Sequence, residues 1–145
     1  MRVMVIVKAT NESEAGQKPS EALIRQMTEF NQQLIDAGVF ATAGGLQPSS
    51  MGKRLTVSGN KRRIIDGPFT ETKELIAGYW IWEVRSMDEA LQWLERCPNP
   101  DPGVEGTIEV RPMFDNGECG ASASPELKAV IERQQAELAR RQAAV

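Results

Sequence analysis

Ile76–Val84 is the clearest strand in the chain, and any fold has to be built around it. In an extended backbone Gly78, Trp80, Trp82 and Val84 share one face, while Ala77, Tyr79, Ile81 and Glu83 share the other. The N-terminal run Arg2–Lys8 is β-branched with little alternation, which suits a central strand covered on both faces. Two such strands require a sheet with further strands beside them.

Between them the pattern changes period. Asn11–Lys18 is polar and reads as a loop. Ser20 then caps a helix over Glu21–Ala37, with Leu23, Ile24, Met27, Phe30, Leu34 and Ile35 at helical spacing and Gly38 as its stop. Val39–Leu46 returns as a short strand. Lys53–Ser58 and Lys61–Asp66 are strand-like runs joined around Gly59-Asn60, a hairpin signal. After Ile76–Val84, Ser86 and Glu89 have the spacing of a capping box. Met87, Ala90, Leu91 and Leu94 follow on one helical stripe, which Pro98 ends. Pro98–Gly103 is a proline-rich loop, and Gly106–Met113 is the last strand.

With the hairpin set aside as an insertion, the order is βαββαβ. That is the ferredoxin-like α+β pattern, an antiparallel sheet with its helices on one face. The other sheet face is expected to be bare, with either Trp80 and Trp82 or Tyr79 and Ile81 on it. A bare apolar face is a reason to dimerise. Beyond Phe114 the composition shifts, which divides the chain into a domain over 1–114 and a segment over 115–145. Asp115–Ser124 is a small-residue linker. Ser124 and Pro125 then place a cap and a first-turn proline before an extra C-terminal helix over Glu126–Gln142. Its stripe of Leu127, Val130, Ile131 and Leu138 is too thin for a long coiled coil.

Composition excludes several function classes. A net charge of −3 speaks against a general nucleic-acid binder. The clusters Lys53-Arg54 and Lys61-Arg62-Arg63 read as solvated hairpin surface. The chain contains no histidine, so Ser-His-Asp and Cys-His machinery and imidazole zinc ligands are ruled out. Acid–base work falls to Asp, Glu, Lys, Tyr or Cys. Cys97 and Cys119 form no Cys-x-x-Cys pair and no disulfide framework. The apolar run Val3–Val7 is too short for a signal-peptide core or a membrane span. The expectation is a cytoplasmic protein with no membrane partner, no metal and no cofactor.

The densest polar feature is Asp66-Gly67-Pro68-Phe69-Thr70-Glu71-Thr72-Lys73-Glu74. Gly67–Thr70 reads as a β-turn with Pro68 at its second position. If the chain then runs extended, Glu71 and Lys73 project to one side and Thr72 and Glu74 to the other. Asp66, Glu71 and Lys73 are the candidate catalytic residues. Two carboxylates and an ammonium at a sheet mouth make an acid–base group whose members shift one another's pKa. The structural reading is that Asp66 accepts hydrogen bonds from its own turn and the charges form surface pairs. Trp80, Trp82, Tyr79 and Phe69 either line an apolar pocket or pack a core or interface.

These residues carry a family resemblance. Asp66-Gly67-Pro68-Phe69 followed by Glu71 and Lys73-Glu74 resembles the signature of the YCII-related proteins, in particular the DGPF-domain branch. The surroundings are similar too. They comprise the Met-Val-Ile-Val strand at the start, Ala43-Gly44-Gly45-Leu46-Gln47-Pro48, Gly78-Tyr79-Trp80, Asp88-Glu89-Ala90 and Glu109-Val110-Arg111-Pro112. The resemblance covers roughly Met1 to Pro112. It implies a ferredoxin-like domain whose sheets pair into a dimeric α+β barrel, hence a homodimer. One relative resembles a lyase-type enzyme that removes chloride from a chlorinated hydroquinone. The histidine–aspartate pair of some relatives has no counterpart here. Asp66 is the position carried over from the motif, with Glu71 and Lys73 beside it.

The expected function is therefore binding or conversion of a small molecule between the sheet and Asp66–Glu74, by isomerisation or elimination in the enzymatic case. The alternative is a non-enzymatic regulatory or interaction protein that acts with an extracytoplasmic-function sigma factor, an association the DGPF resemblance implies, and docks through Glu126–Gln142.

Overall fold

β1 (Arg2–Lys8) and β5 (Ile76–Glu83) lie side by side at the centre of a four-stranded antiparallel sheet. The computed structural model describes Met1–Val145, with Asn116 described through its backbone only. β2 (Phe40–Gly45) pairs outside β5 and β6 (Ile108–Pro112) outside β1, giving the order β2-β5-β1-β6. All three pairings are antiparallel, the ferredoxin-like arrangement. α2 (Glu21–Asp36) follows β1 and α3 (Met87–Leu94) follows β5. β3 (Lys53–Ser58) and β4 (Lys61–Asp66) form a separate two-stranded sheet.

The register decides which face is the core. Val3 and Val5 of β1 stand opposite Trp82 and Trp80. All four are buried with Phe30 and Leu34 of α2 and Ala90 of α3. Phe30 meets both indoles edge-on, at 6.3 and 6.2 Å between ring centres. The tryptophans therefore face the helices, and Tyr79 and Ile81 fall on the second sheet face with Met4 and Ile6. That face is less bare than the sequence suggested, because Ile6 and Ile81 are only 5% and 8% exposed. Trp80 Nε1 donates to Asn31 Oδ1 at 2.9 Å, whereas the buried Trp82 Nε1 finds no partner among the described residues.

Local signals explain the element ends. Ser20 Oγ accepts from Leu23 N at 3.2 Å, and Gly38 follows α2 with φ +71°, a left-handed conformation that glycine takes without strain. Two expected irregular stretches contain one-turn helices. Asn11–Lys18 opens with α1 (Asn11–Glu14), and the presumed linker contains α4 (Asn116–Cys119). Each is nucleated by a capping box, Thr10 with Ser13 and Asp115 with Glu118. At α3 the expected box is only half made. Ser86 Oγ accepts from Glu89 N at 3.1 Å, but the Glu89 carboxylate accepts from Arg85 N at 2.6 Å instead of from Ser86.

The chain divides into two units, Met1–Met113 and Phe114–Val145. The second holds α4 and α5 (Pro125–Ala143), with Ser124 as cap and Pro125 in the first turn. Among the described residues no helix is long and apolar enough to cross a membrane.

Candidate functional site

The segment after β4 is held by its backbone, and Gly67 shows why. A Cβ placed there would lie 1.8 Å from the carbonyl oxygen of Ser49, which belongs to the 3-10 turn Ser49–Met51. Gly67 N donates to Gly52 O at 3.0 Å, and the peptide between Gly67 and Pro68 is cis. Phe69 N then donates to Ser49 Oγ at 3.0 Å. Ser49 in turn is held by α1: its hydroxyl and its N–H donate to the two oxygens of Glu14, at 2.5 and 3.0 Å. The Phe69 ring lies under the Arg54 guanidinium, 3.8 Å from its centre. Phe69 thus fastens the segment to Ser49, a partner that turn chemistry alone does not point to, while Gly67 packs against the same residue and bonds to Gly52.

The charged residues separate. Asp66 does not bond to its own turn; it pairs with Lys53 across the hairpin at 2.5 Å, both side chains largely exposed. An exposed pair of this kind contributes little. The extended run expected after Thr70 is replaced by a 3-10 turn, Thr72–Glu74, closed by Leu75 N donating to Thr72 O at 3.0 Å. Leu75 O accepts from Ala9 N at 3.0 Å and so ties this turn to the end of β1.

That end of β1 is flanked by two hollows. The larger, about 570 Å3, is lined by Lys73 and Thr72 together with Lys8, Thr10, Glu12 and Glu105. The smaller, about 450 Å3, lies where Lys18, Leu23 and Asp101 face the same Lys8, Thr10 and Glu12. Of the three residues nominated from sequence, Lys73 lines the larger hollow; Asp66 and Glu71 line neither. Lys8 is engaged by Glu109 at 3.4 Å, while Lys73 has no carboxylate within ion-pairing distance among the described residues. The Thr10 hydroxyl donates to the Asp101 carboxylate and so joins the Pro98–Gly106 loop to the strand end. Asp101 N and the Asn99 amide brace that loop, through Asn99 Oδ1 and Val104 O, each at 3.0 Å.

Other nucleophiles and ligands stand apart. Cys97 is partly buried and its thiol is pushed up to about 11 by burial, so little thiolate forms near neutrality. Among the described residues no group of three or more Cys, Asp or Glu side chains is placed to hold a metal ion. Sequence reasoning missed Lys8, Thr10, Glu12 and Asp101. Their only local signals were the Thr10–Ser13 cap spacing and the proline-rich loop around Asp101.

Comparison with known proteins adds three findings. The family model of the YCII-related domain matches residues 1–115. An uncharacterized protein of Rhizobium meliloti (strain 1021) is 30% identical over 98 residues, spanning 68% of this chain and 78% of the relative. Among solved structures, 5-chloro-2-hydroxyhydroquinone dehydrochlorinase of Burkholderia phenoliruptrix AC1100, in complex with 2,5-dihydroxybenzoquinone, is 17% identical with a TM-score of 0.45. That similarity covers 79% of this chain and 94% of that one.

Proposed function

The chain belongs to the YCII-related family, and within it we propose that the protein binds or converts a small organic anion in the hollow between the end of β1 and the Asp66–Glu74 segment. The observation that carries this reading is Lys73, with no carboxylate in ion-pairing distance among the described residues, lining a hollow of about 570 Å3 that Thr10 and Glu12 also line. The size is that of an ordinary small-ligand site, and a lysine ammonium at its wall suits a carboxylate or a phenolate.

In the enzymatic form, a carboxylate takes a proton from an acidic C–H or O–H. In isomerisation the electron pair stays on the substrate as an anion steadied by Lys73 until a proton returns at another atom; in elimination it becomes the new π bond while the group on the adjacent carbon departs with the pair of its own bond. Glu12, which lines the hollow, is one choice of base; Glu71, at the start of the Lys73 turn, and Asp66, on the hairpin before it, are the others and would have to reach the ligand from outside the hollow lining. The reaction class is isomerisation or elimination. The homodimer expected from the second sheet face belongs to the same reading.

Titration calorimetry with a panel of small carboxylic acids and phenols tests the site, followed by turnover assays on those that bind. Lys73→Gln should weaken binding at least tenfold with the fold unchanged by circular dichroism. Glu12→Gln and Asp66→Asn then assign the base by which of them loses turnover while still binding. Equal affinity in wild type and Lys73→Gln removes the site, and a panel without any binder removes the ligand class.

A further inference from the structure

The smaller hollow, about 450 Å3, is built largely by the chain between β1 and α2. The Thr10–Ser13 capping box starts α1, and Gly16, with φ +79°, turns the chain out of it. Gln17 N donates to Glu12 O at 3.1 Å and closes this stretch on itself. Of the two carboxylates on α1, Glu14 is taken up by Ser49. Glu12 lines the hollow instead, together with Lys18 just past Gly16, and Asp101 lines it from the Pro98–Gly106 loop.

These three charges line one hollow without neutralising one another. Among the described residues none of Lys18, Glu12 and Asp101 enters an ion pair. Asp101 accepts the Thr10 hydroxyl through Oδ2, which leaves Oδ1 free. Lys8, the fourth charged residue of the wall, is engaged by Glu109 at 3.4 Å. Much of the remaining wall is apolar: Val7, the buried Leu23 and Leu46, which is 49% exposed although it lines a hollow. Such a wall sets the class of ligand. A simple organic anion leaves two carboxylates unmatched, and a simple amine leaves Lys18 unmatched. A molecule with one ammonium and one carboxylate answers both signs, and an aliphatic body covers Leu46 and Val7.

We propose that the smaller hollow binds a small zwitterion with an aliphatic side chain, an amino acid of the leucine type. Lys18 takes its carboxylate, Asp101 and Glu12 take its ammonium, and Val7, Leu23 and Leu46 hold the side chain. Glu12 lines both hollows, but Lys18 and Asp101 line only this one. The site therefore stands or falls independently of the anion site at Lys73.

Titration calorimetry on the full chain tests this with L-leucine and three relatives: glycine without the side chain, isocaproate without the ammonium and isoamylamine without the carboxylate. Wild type should bind leucine, and each of the three at least tenfold more weakly. Lys18→Gln, on an exposed side chain, should weaken leucine at least tenfold without weakening isoamylamine. Asp101→Asn, which keeps an acceptor for the Thr10 hydroxyl, should weaken leucine and isoamylamine together, with circular dichroism unchanged in both variants. Lys73→Gln should leave leucine affinity as it is. A wild type that binds no leucine overturns the proposal, as does leucine affinity that survives Lys18→Gln. Isocaproate bound as tightly as leucine would make the hollow an anion site only, and leucine binding lost in Lys73→Gln would place the ligand in the larger hollow; either result defeats the proposal.

Discussion

At the scale of single residues, Gly67 carries the heaviest constraint. The atom a side chain would meet is the backbone carbonyl of Ser49, which cannot rotate away as a side chain would. Gly67→Ala should therefore cost about 2–4 kcal/mol, as an overpacked site with an immovable neighbour. Ser49→Ala should cost about 1–3 kcal/mol, because it strips the acceptor from Phe69 N and a donor from Glu14. Urea unfolding of both variants checks this, and two wild-type midpoints would remove that constraint. The cysteines give a second residue-level prediction. Raised to about 11 by burial, the Cys97 thiol should react with Ellman's reagent only on unfolding, while the exposed Cys119 reacts at once in the native protein. Two equally fast thiols would contradict the burial of Cys97. The Gly-Pro pair marked a break in the chain, but the expected β-turn over Gly67–Thr70 is replaced by a bend whose N–H groups at Gly67 and Phe69 go to Gly52 and Ser49. The Ser49 partner was not legible, because Ser49 sits upstream of the whole hairpin and contact across that distance leaves no local pattern.

At the scale of elements, α3 ties a sequence signal to a pH dependence. The backbone N–H of Arg85, and then its guanidinium, hold the Glu89 carboxyl below its ordinary range. A carboxylate whose pKa is lowered by folding stabilises the native state above its unfolded pKa, and that contribution fades as pH falls through the lower folded value. Glu89→Gln should accordingly melt below wild type at neutral pH, with the gap closing in acid beneath the usual carboxylate range. Thermal melts at a series of pH values measure it; a gap that stays constant with pH would mean that the charge of Glu89 is irrelevant. Long elements with a clear period were readable in advance, and the hairpin strands and α2 begin where the sequence set them. The helices α1 and α4 were not, since one turn has no period and only the cap spacings Thr10–Ser13 and Asp115–Glu118 betray it. The hollow was least legible of all. It is assembled from the end of β1, the turn after Glu71 and the stretch before β6, three pieces that only the sheet brings together.

At the scale of the whole molecule, the two units differ in kind. The buried hydrophobic residues run from Val3 to Ala90, all within Met1–Met113. Phe114–Val145 contributes none of them; in α5 Leu127 and Leu138 are half exposed. An isolated helix of that length, without a buried face, is marginal in water. Neither the matched family nor the fold points to a sigma factor as the reason this second unit exists. A fragment ending at Met113 should therefore keep a cooperative urea transition within about 1 kcal/mol of the full chain, since it retains every residue of the core. A peptide of residues 114–145 should show weak helicity that does not depend on concentration. The pair of measurements separates two architectures. If the fragment keeps its transition, the first unit is a self-sufficient sheet-and-helix domain and the second is an appendage. If the fragment loses its cooperative transition, the stability of the sheet depends on the second unit, and the division at Met113 is one of geometry and not of energy.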